Sequence, residues 1–173
     1  QPETQGRERE WIEKLGRSTG DLRRVEMIAN GRFEKDVVIT TNRWGMRDRD
    51  YEPSKAQGTY RAAFLGGSYV TSPNVADDET FEHLLEERIN RENDGRKHAR
   101  YELLNFAVGG YGPLESLVQL EKKAIAFHPD VVLYVSVEGE LRRAALALAR
   151  GVGAGVDLEH PGLKDLVTLA RVD

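Results

Sequence analysis

At 173 residues the chain is the size of one domain able to bury its own core, and its formal net charge of −4, with acids outnumbering bases, provides no basic field for nucleic acid. The absence of cysteine excludes disulfides, thiolate zinc ligands and thiol catalysis within these residues. No apolar run reaches the roughly 20 residues of a membrane span, and the polar, charged start is not a signal peptide. An upstream signal or anchor, removed in processing, would make the chain extracytoplasmic; without one the compartment is open.

In chain order, Trp11, Ile12 and Leu15 line one face of an expected short helix over Arg7–Leu15. Asp36–Asn42 (DVVITTN) is rich in β-branched residues and predicts a strand, followed by a charged loop to Asp50 pinned by Trp44 and Met46. Pro53–Gly58 is a turn-like linker. Residues 1–58 are therefore expected to supply a helix, a strand and a charged loop packed on an α/β domain of residues 59–173. That domain opens on Ala62–Val70 (AAFLGGSYV), an apolar run that ends in two glycines and a hydroxyl. Asp77 and Asp78 are N-cap candidates for a helix whose apolar stripe is Phe81, Leu84, Leu85 and Ile89, with His83 beside the stripe and Glu86–Glu87 solvated. Arg96–Arg100 is a basic turn.

Tyr101–Val108 (YELLNFAV) predicts a second sheet strand, again ending in glycines, Gly109 and Gly110. Pro113 suits a first helical turn, with Leu114, Leu117, Val118 and Ile125 as its apolar face and His128 at its terminus. Val131–Val137 is a third strand, ending at Glu138–Gly139–Glu140. Leu141, Ala144, Ala145 and Leu148 repeat helical spacing up to a glycine-rich loop, Gly151–Gly155. That loop follows a helix and so is not a dinucleotide fingerprint. Leu163, Leu166, Val167 and Ala170 mark a last helix. Nothing in the pattern calls for a cofactor. No pair of the 4 histidines has metal-ligand spacing on a helix, so no metal is expected either.

Alternating strands and helices predict an α/β fold with a parallel sheet and helices on both faces. Three strand ends, at Ser68, Gly109–Gly110 and Glu138–Gly139, then meet on one edge, where such folds keep their working groups. Acyl transfer needs a nucleophile, a base and donors for the developing oxyanion. Ser68 offers a hydroxyl and its own N–H, and Gly110 offers a second N–H that a substrate can approach closely. Read from the residues alone, both glycine stretches serve equally as plain connections.

The order of these stretches resembles the SGNH (GDSL) hydrolase superfamily. Phe64–Val70 (FLGGSYV) is similar to its first block. Asp77–Glu86 resembles the helix that follows in a bacterial, often membrane-anchored subgroup. Asn105–Gly112 (NFAVGGYG) is similar to the second block, and Pro129–Asp130 with the strand after it looks like the approach to the third. Thr41–Asp48 is similar to a loop that the subgroup carries before its first strand. The likeness covers roughly residues 37–141. It implies a three-layer α/β/α sandwich of flavodoxin-like SGNH type, a serine esterase or acyl hydrolase acting on a small-molecule or glycan ester, with Ser68 as nucleophile and Gly110 as oxyanion glycine.

At two places the chain departs from the family pattern. Gly67 replaces the aspartate before the nucleophile. Gly139 stands where the family offers an asparagine to the oxyanion, between Glu138 and Glu140. The family's late Asp-x-x-His is matched by Asp157–Leu158–Glu159–His160, which implies His160 as base and Asp157 as its partner. Only 17 positions (157 − 140) separate that motif from Glu140, less than a strand and helix require. The base is therefore His160 or a histidine beyond Asp173 in a longer domain, or it is lost altogether. The other functional readings are an SGNH-like binding module without catalysis and a carbohydrate O-acyltransferase. Oligomeric state is not readable.

Overall fold

A computed structural model describes residues 32–34, 38–95, 97–153, 155, 157–158 and 161–170. The expected helix at Arg7–Leu15 and His160 lie outside them. β1 (Arg32–Glu34) and β2 (Val38–Thr40) form a small antiparallel pair. The expected strand at Asp36–Asn42 ends at Thr40, and Asp36 and Val37 lie outside the described residues. Asn42 already opens a turn, its carbonyl accepting from the Gly45 amide and its side chain from the amides of Trp44 and Met46.

The main sheet has three parallel strands in the order β4-β3-β5, with β3 (Thr59–Gly66) central, β4 (Arg100–Asn105) on one side and β5 (Val131–Val135) on the other. The protein is of the α/β class. Strand alternation sends Ala62, Phe64 and Leu103 to one face with Val70 and Ile89, and Ala63, Leu65 and Leu104 to the other with Met46, Tyr51, Phe106 and Phe127. Helices α1 (Ser68–Thr71), α2 (Phe81–Glu92), α3 (Pro113–Lys122), α4 (Glu140–Gly153) and α5 (Pro161–Ala170) follow in chain order. The last three share a cluster built on Leu114, Leu148, Leu158 and Val167. Among the described residues no helix is long and apolar enough to cross a membrane.

Several boundaries move inward from the sequence reading. β4 and β5 end at Asn105 and Val135, short of Val108 and Val137, although the Phe106 and Val108 amides still donate to the Phe64 and Gly66 carbonyls of β3. α3 stops at Lys122, and a 3-10 turn (Ala124–Phe127) turns Ile125 to solvent and Phe127 to the core. Gly151–Gly153 belong to α4 and not to a loop. Asp77 and Asp78 sit in a 3-10 turn (Asp77–Glu79) and do not cap α2, whose N-cap residue is Thr80.

The largest correction concerns the face of α2. Phe81, Leu84 and Leu85 are 40%, 51% and 39% exposed, whereas Glu82 and Glu86 are 2% and 4% exposed. The cause is the edge of β4. Its outward amides at Tyr101, Leu103 and Asn105 have no strand to pair with, and unpaired buried N–H groups are costly. Asn90 Oδ1, Glu86 Oε2 and Asp48 Oδ2 accept them at 2.9, 2.6 and 2.8 Å. α2 therefore turns its polar stripe inward to close the sheet edge. Glu86 is no solvated helix position; it also accepts from the Tyr51 hydroxyl at 3.0 Å and pairs with Arg49.

Candidate functional site at the carboxyl end of the sheet

β3 delivers Ser68. Its last residue, Gly66, has φ +149°, and a Cβ there would lie 2.8 Å from the Val135 carbonyl oxygen and 3.0 Å from Val70 Cγ2. A side chain is excluded by space and by conformation alike. Gly67 is the next constraint: a Cβ on it would sit 2.9 Å from the Tyr111 carbonyl oxygen and 4.0 Å from Glu140 Oε1. The turn before Ser68 thus lies tight against the turn after β4, with the Glu140 carboxylate nearby.

Ser68 opens α1, a helix of four residues, and its side chain is exposed. As the first helical residue its N–H has no intrahelical partner. The second turn is closed by the Tyr111 amide donating to the Val108 carbonyl at 3.0 Å, with Gly110 at φ +86°. That places Gly110 at the third position of a turn that demands positive φ, and glycine meets the demand without strain. Neither the Ser68 nor the Gly110 amide finds an acceptor among the described residues. The two turns thus each carry an N–H without an acceptor among the described residues, and the first also carries the exposed Ser68 hydroxyl.

The third strand end brings a carboxylate. Glu140 is buried at the start of α4, accepts from the Tyr134 hydroxyl at 2.7 Å and lies 3.9 Å from the Arg143 guanidinium. Burial, and then the bond to Glu140, raise the Tyr134 phenol above its ordinary range, so it stays a donor. Gly139, at φ +82°, contributes no side chain. Glu140 thus lies near the Ser68 turn, and Gly139 offers no side-chain donor there.

The three described histidines do not serve Ser68. His98 packs between the rings of Tyr60 and Tyr101 at the amino end of the sheet, and His128 caps the 3-10 turn just before β5. His83 on α2 pairs with Glu87 at 3.4 Å. The Ser68 hydroxyl makes no side-chain hydrogen bond among the described residues. Asp157 is exposed, and its neighbour Leu158 is buried in the cluster that holds Leu114, from the first turn of α3. Among the described residues no group of three His, Asp or Glu side chains is arranged to hold a metal.

Comparison with family models, with curated proteins and with solved structures gives no match in any of the three.

Two residues that the sequence reading left in a charged loop prove central to the neighbourhood. Arg47 is buried beneath α1. Asp48 accepts from the Asn105 and Arg49 amides and from the Tyr51 hydroxyl, and both residues border an open cavity of about 250 Å³ that Ser68 does not line. Asn105 is fully buried and reaches both Val70 O (3.2 Å) and Glu82 Oε1 (2.6 Å). The only sequence signal was a loop too rich in alternating charge to be wholly solvated once Trp44 and Met46 anchor it.

Burial pushes the Asp48 carboxyl up to about 7, with a further push from Glu82 outweighed by the amides that favour the charged form. The folded state then holds this proton more tightly than the unfolded chain, whose carboxyl titrates near 3.8. Stability from Asp48 is therefore present at low pH, declines as pH rises from about 4 to 7, and is lost above that. Asp48→Asn removes the titration. The expected result is that the stability of the variant relative to wild type, whatever its value at pH 5, rises by about 2.5 kcal/mol between pH 5 and pH 8, read by urea unfolding. A pH-independent difference would contradict it.

Proposed function

We propose that the chain is a serine ester hydrolase of SGNH type, built on the three-layer α/β/α sandwich of that superfamily. The observation that carries the proposal is the close approach of Gly67 to the Tyr111 carbonyl, which brings the turn bearing the exposed Ser68 hydroxyl against the Gly110 turn, each with an amide that has no acceptor among the described residues. In the reaction Ser68 Oγ attacks the ester carbonyl and its proton passes to an imidazole, for which His160 is the candidate and Asp157 its partner. The carbonyl oxygen, now negative, is received by the Ser68 and Gly110 N–H groups. The alcohol leaves with the proton, and water repeats the sequence to release the acid and restore Ser68. An alcohol of a sugar in place of water would make the same site an acyltransferase, since water exclusion decides between them.

The test is hydrolysis of a short p-nitrophenyl ester by wild type and by Ser68→Ala. The expected loss is about 10⁴-fold or more in kcat, because nucleophile and base act as one unit. Equal turnover by the two proteins would refute the assignment.

One observation favours the second reading, an SGNH-like module that binds without turnover. The Glu140 carboxylate near Gly67 and the bare Gly139 weaken the oxyanion site, and one missing donor is worth about 10²–10³ in kcat. Binding of an acylated sugar by wild type and Ser68→Ala alike, with no turnover by either, is the outcome that selects this reading.

A further inference from the structure

A four-residue helix does not hold itself together, because its nucleation cost exceeds what one turn of hydrogen bonds returns. The helix that presents Ser68 is of that length, so its geometry is set from outside. Its last carbonyls point away from the site, toward Arg47. That side chain is 2% exposed and uses all three nitrogens of its guanidinium: Nη1 donates to the Thr71 carbonyl at 2.6 Å and to that of Ser72, Nη2 to the Val75 carbonyl at 2.5 Å, and Nε to Asp77 Oδ1 at 2.9 Å. Ser72, in the left-handed region at φ 51°, in turn donates its N–H to the carbonyl of Ser68 itself at 2.8 Å. A single residue therefore links the guanidinium to the backbone of the nucleophile.

We infer that Arg47 is a positioning residue for Ser68, its buried guanidinium clamping the last carbonyl of α1 and those of Ser72 and Val75 after it, and so fixing where the hydroxyl and its amide stand. The inference rests on the reading of Ser68 as nucleophile. A cation at a helix carboxyl end is favourable in itself, but a point charge would not suffice here. Three carbonyls and a carboxylate are met at once by a planar fork of five donors, which lysine lacks. Asp77 holds the fork in place. Its other oxygen accepts from the Thr40 amide and hydroxyl at 2.9 and 2.6 Å, tying the clamp to β2.

The experiment uses the full chain as wild type, Arg47→Lys, Asp77→Asn and, as a control on the exposed side of α2, Arg88→Lys. Hydrogen exchange of residues 68–75 is measured beside the kinetics of inactivation by a fluorophosphonate. Both clamp variants are expected to exchange residues 68–75 about tenfold faster with β3 unchanged. The limiting inactivation rate, kinact, is expected to fall about 10–100-fold with little change in the half-saturating probe concentration, as a misplaced reacting group requires. A purely structural role would lower stability without that split.

Unchanged exchange over 68–75, or faster exchange with an unchanged inactivation rate, overturns the inference while leaving Ser68 as nucleophile. A wild type that the probe never labels strikes the Ser68 reading itself, and the positioning role with it. Should Arg47→Lys not fold, Asp77→Asn, whose side chain is partly exposed, decides by the same criteria.

Discussion

Gly66→Ala is expected to destabilise the protein by about 4 kcal/mol and to remove any reaction at Ser68 even under conditions where the chain remains folded. Two costs combine. The backbone stands at φ +149°, a region that alanine enters only with strain of about 1–3 kcal/mol. The new methyl would also lie 2.8 Å from the Val135 carbonyl oxygen, a backbone atom held by strand pairing, and crowding of that kind costs a further 1–3 kcal/mol, roughly. Relief requires either β5 or the Ser68 turn to move, and the turn is the softer of the two. Against a total stability of about 5–15 kcal/mol the change is large. Urea unfolding reads it as a fall in midpoint of about 2 M. A variant within about 0.5 kcal/mol of wild type would show that the strand end is not where the chain is most constrained.

Arg61→Met carries the second large effect, at the opposite end of the same strand. Arg61 is buried, yet its guanidinium is fully partnered: Nε and Nη2 meet Glu102 Oε2 at 2.8 and 2.7 Å, and the other bonds go to the carbonyls of Glu52, Pro53 and Phe127. It joins β3, β4, the linker before β3 and the 3-10 turn before β5. Methionine fills much of the volume but leaves Glu102, itself largely buried, with only the looser Arg100 pair at 3.9 Å in place of the 2.7 Å one, and takes a donor from each of three carbonyls. Breaking a buried pair in this way costs about 3–5 kcal/mol. The expected result is a loss of that size in urea unfolding. Replacing Glu102 as well, in Arg61→Met with Glu102→Leu, should recover part of it, because no lone charge is then buried. A double variant no better than the single one would assign the loss to the orphaned carbonyls instead.

The legibility of the fold follows from what each signal depends on. The three sheet strands stood out as apolar runs: Ala62–Leu65 and Leu103–Leu104 are buried on both faces and so must be apolar throughout, whereas Val131–Val135 keeps that composition although Val132, Leu133 and Tyr134 are exposed. The glycines after β3 and β4 marked the turns correctly for the same local reason. α2 misled because periodicity reports only that a helix has two faces. Which face turns inward was decided by the free amides of Leu103 and Asn105 on β4, which lie well beyond α2 in the chain. Glu86 is buried to accept the Leu103 amide and Glu82 to accept the Asn105 side chain, while Asp48 takes the Asn105 amide, and Phe81, Leu84 and Leu85 are left outward. Arg47 and Asp48 were hidden likewise: an Arg-Asp pair in a charged loop looks solvated until its acceptors, the carbonyls of Thr71, Ser72 and Val75, fold over it. Of the four candidate site residues, Ser68 and Gly110 lie at the ends of adjacent strands and Asp157 is exposed. His160 lies outside the described residues.

The assignment of Ser68 as nucleophile is tested most directly by treating the full chain with a fluorophosphonate, digesting it and mapping the adduct by mass. The account predicts a single phosphonylated site, Ser68, formed by the folded protein and lost after unfolding. No adduct, or one on another side chain with Ser68 unmodified, would contradict it.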